Sequence, residues 1–347
     1  MILFETVSCD LCGSKETDEI LAQKDLAYLM NEELFHVVEC RRCHLRYTNP
    51  RPVKEHISKY YFDEYYALVP DVLPIPEKDE PVIHKWSQNI RKSLKEEFYG
   101  YPKHQNNPKN RIILSMKKAF LRVEQFRLII SGREKGIIPY RGEGRILDIG
   151  CGNGAILNGL KHDRWKTYGV EFNPGAVRFA KENLKLDVFL GDLFDAKYPD
   201  IFFDVILFNH TLEHMYSPGE VLKETNRILK EDGLLMISLP NSKSFEAVIF
   251  KSYWFPWELP RHLYHFSIDT LSKVLNQNGF KVKKIMGETG IGTFFQSLDY
   301  LYRFRFQKSV RFRSLIKILI RPLLFFIGHL GYSGTITIHA QKKRFRR

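Results

Sequence analysis

At 347 residues, 44% of them hydrophobic and 14% aromatic, the chain can bury a large core, which excludes a disordered or low-complexity protein. Its formal net charge of +13 comes from 53 basic and 40 acidic residues, and no internal repeat is visible. Four of the five cysteines stand in Cys-x-x-Cys pairs, and Met1-Ile2-Leu3-Phe4-Glu5 has no basic segment followed by a long apolar stretch; a reducing cytoplasm without a secretory signal is therefore expected.

The chain opens with Cys9-Asp-Leu-Cys12 and Cys40-Arg-Arg-Cys43. Two knuckles about thirty residues apart, each able to turn two thiolates toward one centre, have the spacing of a zinc ribbon; a redox pair or unrelated free thiols are the alternatives. Four cysteines leave no open coordination position, so such a zinc ion would be structural. The strand-like segments Leu34–Glu39 and Leu45–Thr48 suit a small β-rich module over residues 1–52. Residues 53–140 read as a helical linker or cap. A helix over His56–Tyr66 would pair Tyr60, Tyr61, Tyr65 and Tyr66 on one face, either as packing or as a cover for a substrate pocket. Val69–Pro81, with four prolines, reads as an extended linker. Helices follow at about 84–99 and 111–131, around a loop at Tyr101–Asn110. Ile113, Met116, Phe120, Val123 and Ile130 recur at the spacing of a face packed on a core.

The stretch 145–154, Arg-Ile-Leu-Asp-Ile-Gly-Cys-Gly-Asn-Gly, ends an apolar strand in three glycines spaced two apart, ahead of a helix at Ala155–Lys161. A strand, a tight glycine turn and a helix N-terminus let backbone approach a ligand closely. The spacing is not the G-x-G-x-x-G of dinucleotide binding, which disfavours a nicotinamide-linked oxidoreductase. A carboxylate at the strand end, Asp148, suits an amine-bearing ligand and would repel a diphosphate. Cys151 reads as a small residue filling the turn. A second strand, Lys166–Val170, ends in Glu171, placed for the two hydroxyls of a ribose. A third, Asp187–Leu190, leads into Gly191-Asp192-Leu193, where a carboxylate suits an adenine amino group. A fourth, Asp204–Phe208, opens into Asn209-His210-Thr211-Leu212-Glu213-His214. A helix at Pro218–Leu229 and the Asp232-Gly233 turn precede a fifth strand, Leu234–Leu239.

These residues resemble the class I, Rossmann-like, S-adenosylmethionine (SAM)-dependent methyltransferases, and within them the quinone-biosynthesis O-methyltransferases. The resemblance covers about residues 140–290 and a last strand near 335–341. It implies an α/β fold, a Rossmann-like seven-stranded sheet over 141–347, with SAM across its carboxyl edge. It places Asp148 with Gly150, Gly152 and Gly154 at the methionine portion, Glu171 at the ribose, Asp192 and Leu193 at the adenine, and Asn209 beside them. Zinc ribbons precede such domains in some sugar methyltransferases.

Methyl transfer is an in-line displacement at an activated sulfonium carbon, so the protein has to align the acceptor and, for a hydroxyl, remove its proton. His210, Glu213 and His214 cluster where such a base is needed. In quinone O-methyltransferases a glutamate stands at the position of His210 and the segment supports a divalent ion; the departure removes that ligand, although His-x-x-Glu-His keeps residues able to bind one. The same letters match an inverted zinc-protease motif, which their place after a strand end argues against. A second cluster, Trp254, Trp257, Arg261, His262, Tyr264 and His265, precedes a helix at about Ser267–Asn278. It reads either as a stacking, hydroxyl-binding lining with His262 and His265 as further base candidates, or as aromatic anchoring of the loop.

From Tyr300 onward there are 12 basic residues and no acidic ones, which leaves 41 basic against 40 acidic before it. Interleaved is the apolar run Leu315–Ile327, too short and too interrupted by charge to span a bilayer. The basic, hydrophobic insertion at about 300–332 thus suits an anionic membrane surface, with internal packing or dimerisation, and then nucleic-acid contact, as the alternatives. The expected function is methyl transfer to a small or lipid-linked acceptor, an oxygen of a sugar, polysaccharide or lipid headgroup, in the cytoplasm or at the inner face of the membrane. The alternatives are an RNA methyltransferase, disfavoured by basic residues mixed with aliphatics, and a non-catalytic SAM-binding scaffold. The oligomeric state is left open.

Overall fold

The computed structural model describes residues 3–29, 32–61, 82–103, 111–130, 136–287, 291–310 and 313–343. Residues 1–69 and 145–347 form one compact unit and 70–144 a second. The second unit holds helices α1 (Val82–Phe98) and α2 (Arg111–Ile130). On α2, Met116, Phe120 and Val123 are exposed, and the side chains of Ile113 and Ile130 lie outside the described residues. The Val69–Pro81 linker, Tyr65 and Tyr66 lie outside the described residues. Of the segment His56–Tyr66, where a helix was expected, residues 62–66 lie outside the described residues, and Ile57–Tyr60 form a 3-10 turn.

The first unit opens with β1 (Phe4–Glu5), β2 (Thr17–Gln23), β3 (Phe35–Cys40), β4 (Arg46–Thr48) and β5 (Arg51–Pro52). Then, from residue 145, come β6 (Arg145–Ile149), α3 (Ala155–Lys161), β7 (Lys166–Glu171), α4 (Pro174–Glu182), β8 (Asp187–Leu190) and β9 (Phe203–Asn209). They are followed by α5 (Pro218–Ile228), β10 (Leu229–Pro240), α6 (Phe245–Phe250), β11 (Tyr264–His265), α7 (Ile268–Gln277) and β12 (Phe280–Gly287). The chain ends with α8 (Ile291–Tyr300), α9 (Arg313–His329) and β13 (Thr335–Lys342).

Seven strands form the expected Rossmann-like sheet in the order β12-β13-β10-β9-β6-β7-β8, and β13 alone runs antiparallel to its neighbours. The central strands are apolar on both faces because helices cover both: in β9 the first six residues are buried. Helix starts are set locally. The Asn173 side chain accepts from the Ala176 N–H ahead of Pro174, and Ser267 makes a capping box with Thr270. From β6 the chain winds outward through β7 and β8, then returns to β9 on the other side. The carboxyl ends of β6 and β9 therefore flank the point where strand order reverses, the usual crevice of an open α/β sheet.

The cysteine module is built into this unit rather than hung from it. Its four-stranded sheet has the order β11-β4-β3-β2, and its edge strand β11 comes from the loop after β10. The Thr48 N–H donates to the Leu263 carbonyl at 2.9 Å. Cys9, Leu11, Leu45 and Tyr47 share one core with Leu222, Leu263, Phe266 and Leu271. Arg261, fully buried, donates from both terminal nitrogens to Asp25, each at 2.8 Å.

Candidate functional site

The glycine turn is sterically dictated. Gly150, Gly152 and Gly154 have φ of 72°, 52° and 81°, the left-handed region that favours glycine. A Cβ on Gly150 would also lie 2.3 Å from the Thr211 methyl, and one on Gly154 would lie 2.6 Å from Leu186. The turn after β6 is thus pressed against the loop after β9, joining the two halves of the crevice.

Asp148 ends this strand almost fully buried, and its Oδ1 has no hydrogen-bond partner. Burial and then the charge of Glu171 push its carboxyl up to about 7. Glu171 accepts the Gly152 N–H on Oε2 and the Asn173 N–H on Oε1, both at 2.9 Å. Each oxygen keeps acceptor capacity for a further donor, and burial raises this carboxyl as well. Asp192 accepts the N–H groups of Phe194 and Asp195 at 3.0 and 3.1 Å, while its Oδ2 lies 3.4 Å from Lys54 Nζ. Leu193 is buried in the main core, whereas Phe172 and Phe194 are exposed beside Glu171 and Asp192. Those two aromatic faces were missed in the sequence, although their place directly after the strand-end acids was available as a signal.

Across the crevice, Asn209 and His210 are exposed. His210 has φ 53° and donates its N–H to the Ser238 carbonyl at 2.8 Å, a constrained conformation for a non-glycine residue. Its Nδ1 lies 3.5 Å from Oε1 of Glu213, whose side chain is 1% exposed. Burial works to raise the Glu213 carboxyl, but His210 and the surrounding histidines outweigh it and hold it below its usual range. His214 donates from Nδ1 to the Arg261 carbonyl at 3.0 Å, and Tyr61 Oη lies 2.8 Å from the same nitrogen. Burial, then the neighbouring His262, lower this imidazole to about 4. Tyr61 also packs edge-on against Phe172 at 5.5 Å. It thereby connects the cofactor-side acid strand to the histidine cluster, a role its sequence position did not reveal.

The structure brings His210, Glu213, His214 and His262 together. His262 is buried with Nδ1 on the Pro256 carbonyl at 2.8 Å, its ring 4.6 Å from that of His214. His265 lies beyond His262, ring centroids 6.4 Å apart, with Nε2 3.4 Å from Thr48 Oγ1 and its ring against Trp257; burial, then His262, lower it well below the usual range. Trp254 and Trp257 are buried and packed edge-to-face at 5.1 Å, and Trp257 Nε1 donates to the Lys251 carbonyl. The tryptophan pair therefore anchors the loop and does not form an open stacking surface, because both rings are spent on each other and on the core.

In the N-terminal module the four sulfurs of Cys9, Cys12, Cys40 and Cys43 converge, with Cys9–Cys43 at 3.4 Å and Cys12–Cys40 at 3.5 Å. Sulfurs bound tetrahedrally at the usual zinc–sulfur distance stand about 3.8 Å apart. The Cys40 thiol is lowered to about 7 even though burial opposes ionisation, because backbone N–H groups face it. This donor set fits a zinc ion.

A methyltransferase domain family model matches residues 118–285. A 27-O-demethylrifamycin SV methyltransferase of Amycolatopsis mediterranei is 31% identical over 131 residues, 34% of this chain and 48% of that protein. A ubiquinone biosynthesis O-methyltransferase of Maricaulis maris is 25% identical over 236 residues, 64% of this chain and 87% of that protein. The chain spans about half the length of the first curated relatives it matches. A solved SAM-dependent methyltransferase from Archaeoglobus fulgidus aligns at 24% identity with a TM-score of 0.42, over 65% of this chain and 99% of that one.

Proposed function

Because this chain carries a class I SAM-dependent methyltransferase domain with an N-terminal four-cysteine ribbon, we propose that it moves the sulfonium methyl of SAM to an oxygen of a small or lipid-linked acceptor. The observation that carries the reading is the pairing of a buried, unpartnered Asp148 oxygen with a glycine turn whose backbone admits a ligand. An ammonium group would satisfy that oxygen. Glu171, held by two backbone N–H groups, has acceptor capacity left for ribose hydroxyls. SAM supplies the electrophilic methyl, and the other roles fall to the chain. His210, exposed and backed by Glu213, takes the acceptor hydroxyl proton as the oxygen attacks; the methyl–sulfur bond breaks and its electron pair stays on sulfur. The Cys9, Cys12, Cys40 and Cys43 set holds a structural zinc and has no step in the transfer.

Oxygen methylation is favoured by the names of the rifamycin and ubiquinone relatives. A lipid-linked acceptor, a glycan or lipid headgroup, is favoured by the surface of α9. On that helix Leu315, Ile318, Leu319, Leu323 and Phe326 form an exposed apolar stripe with Lys317 and Arg321 beside them. No helix among the described residues is long and apolar enough to cross a membrane, so the stripe suits reversible docking to an anionic surface. Mass spectrometry of lipid and glycan extracts incubated with the protein and SAM tests the reading. One fraction should gain the mass of a methyl substituent in step with demethylated cofactor. Calorimetric titration should give one SAM site, weakened by about 1–3 kcal/mol in Glu171→Ala; equal affinity in that variant would remove the ribose assignment.

A further inference from the structure

The amino edge of the sheet carries a cavity with no part in the methyl-transfer crevice. Strands β10 and β12 start at this edge and β13 ends there, so it lies opposite the carboxyl ends of β6 and β9. The cavity holds about 660 Å³ and is lined by Lys281 and Lys283 of β12 and by Lys342 and Lys343 at and just past the end of β13. Glu231 and Asp232 of β10 supply its acids, so four lysines leave two positive charges unbalanced. Two of the lysines are held: the Lys342 side chain is 8% exposed with Nζ 3.0 Å from Glu231 Oε1, and Lys343 donates to the Asn276 carbonyl. Lys281 and Lys283 are exposed and make no ion pair among the described residues. Lys281 stands opposite Gln341, which also lines the cavity. Lys283 is the extra residue of a bulge, since Val282 pairs with Ala340 and Lys284 with His339. Bulges occur where a strand re-aims a side chain, and this one leaves Lys283 on the cavity beside Lys281. Lysines on an edge strand also keep it from pairing with another chain. That role needs cations on β12 alone and does not account for the buried Lys342 or the shared cavity.

A lysine is a point-charge partner for phosphate. A phosphate monoester carries about two negative charges near neutrality, the number the lining leaves unbalanced. No aromatic or aliphatic side chain lines the cavity, so neither a base nor a hydrocarbon chain has a surface to stack on. The volume leaves room beside the phosphate for a polar body, whose hydroxyls the Gln341 amide and the two carboxylates suit. We propose that this cavity binds a small phosphate-bearing molecule, with Lys281 and Lys283 contacting the phosphate oxygens and Lys342 and Lys343 adding positive charge behind them. The ligand has no step in methyl transfer, and the site stands whether or not methyl transfer is the activity of the chain.

The test is calorimetric titration of the full-length protein at low ionic strength with glucose 6-phosphate and with inorganic phosphate. One saturable site per chain is expected, and Lys281→Met and Lys283→Met should each weaken it about tenfold. Both positions are exposed, so an unchanged thermal midpoint should show these variants folded. Lys317→Met, on α9 and outside the cavity lining, should leave the affinity unchanged. Tighter binding of glucose 6-phosphate assigns a phosphorylated metabolite, while equal or tighter binding of inorganic phosphate assigns the free anion; both support the site. No saturable heat with either probe at millimolar concentration overturns the proposal. Equal weakening in Lys317→Met overturns it as well, since the attraction is then spread over a basic surface. A short single-stranded RNA that binds more tightly and displaces glucose 6-phosphate also overturns it, because the surface then tracks a nucleic-acid backbone.

Discussion

At the scale of single residues, the buried acids set the pH behaviour of the cofactor crevice. Asp148 is raised to about 7 by burial first and by Glu171 second. In the free protein it is therefore largely protonated below neutrality. A ligand ammonium favours the carboxylate, so binding below that pKa must release a proton, and affinity should fall by up to tenfold per unit as the pH drops from 7. Above neutrality the dependence should level off. Calorimetry of SAM binding at several pH values checks this; a slope that persists in Asp148→Asn would assign the proton elsewhere. Asp148 and Glu171 were readable in the sequence because each ends an apolar strand at a fixed distance from a glycine turn. His262 was readable only as one base candidate among several and Tyr61 only as one of a tyrosine cluster; the contact each makes was not. What they touch, His214 in both cases, lies 48 and 153 positions away in sequence. The buried Arg261–Asp25 pair spans 236 positions and was invisible for the same reason. Removing Asp25 by Asp25→Ala leaves a buried guanidinium facing no carboxylate on that side and should cost about 3–5 kcal/mol in denaturant unfolding.

At the scale of elements, two segments behave differently from their sequence patterns. The four-cysteine module takes β11 as its edge strand, so its fate is tied to the loop carrying Arg261, His262 and His265. Cys43→Ser, which removes one of the four candidate zinc ligands, should therefore lower the unfolding midpoint of the whole unit in one cooperative transition, monitored by tryptophan fluorescence from Trp254 and Trp257. A separate early transition confined to residues 1–50, with the tryptophan signal unmoved, would show an independent module. Helix α9 has two apolar faces: Leu324 is buried and Ile316 and Ile320 pack against the core, while the stripe through Ile318 and Leu319 is exposed. A packed face and an exposed apolar stripe thus coexist on one helix. Each basic residue near an anionic bilayer contributes about 1 kcal/mol at modest salt. The protein should sediment with anionic vesicles, less so at high salt, and Leu319→Glu should abolish sedimentation while leaving SAM binding unchanged. A wild type that stays in the supernatant at low salt would remove the membrane reading.

At the scale of the molecule, the sequence by itself determined the α/β sheet, its strand-end acids, the glycine turn and the four-cysteine cluster. These are local signals: apolar runs bounded by turns, positions where only glycine fits, and thiol pairs two residues apart, all set by short-range sterics and ligand spacing. The charge asymmetry toward the C-terminus was equally plain, because charge is counted and needs no fold. Tertiary structure alone decided which of the candidate side chains meet. It put Trp254 and Trp257 into the core, although an aromatic-rich loop reads the same whether it lines a pocket or anchors itself. It set His265 behind Trp257 and brought His262 to Glu213 and His214. It also made the N-terminal module part of the same core as the sheet, through a two-residue strand, β11, too short to carry a pattern of its own. Contacts of this kind depend on strand order and on which loops leave the same sheet edge, and no local propensity encodes that.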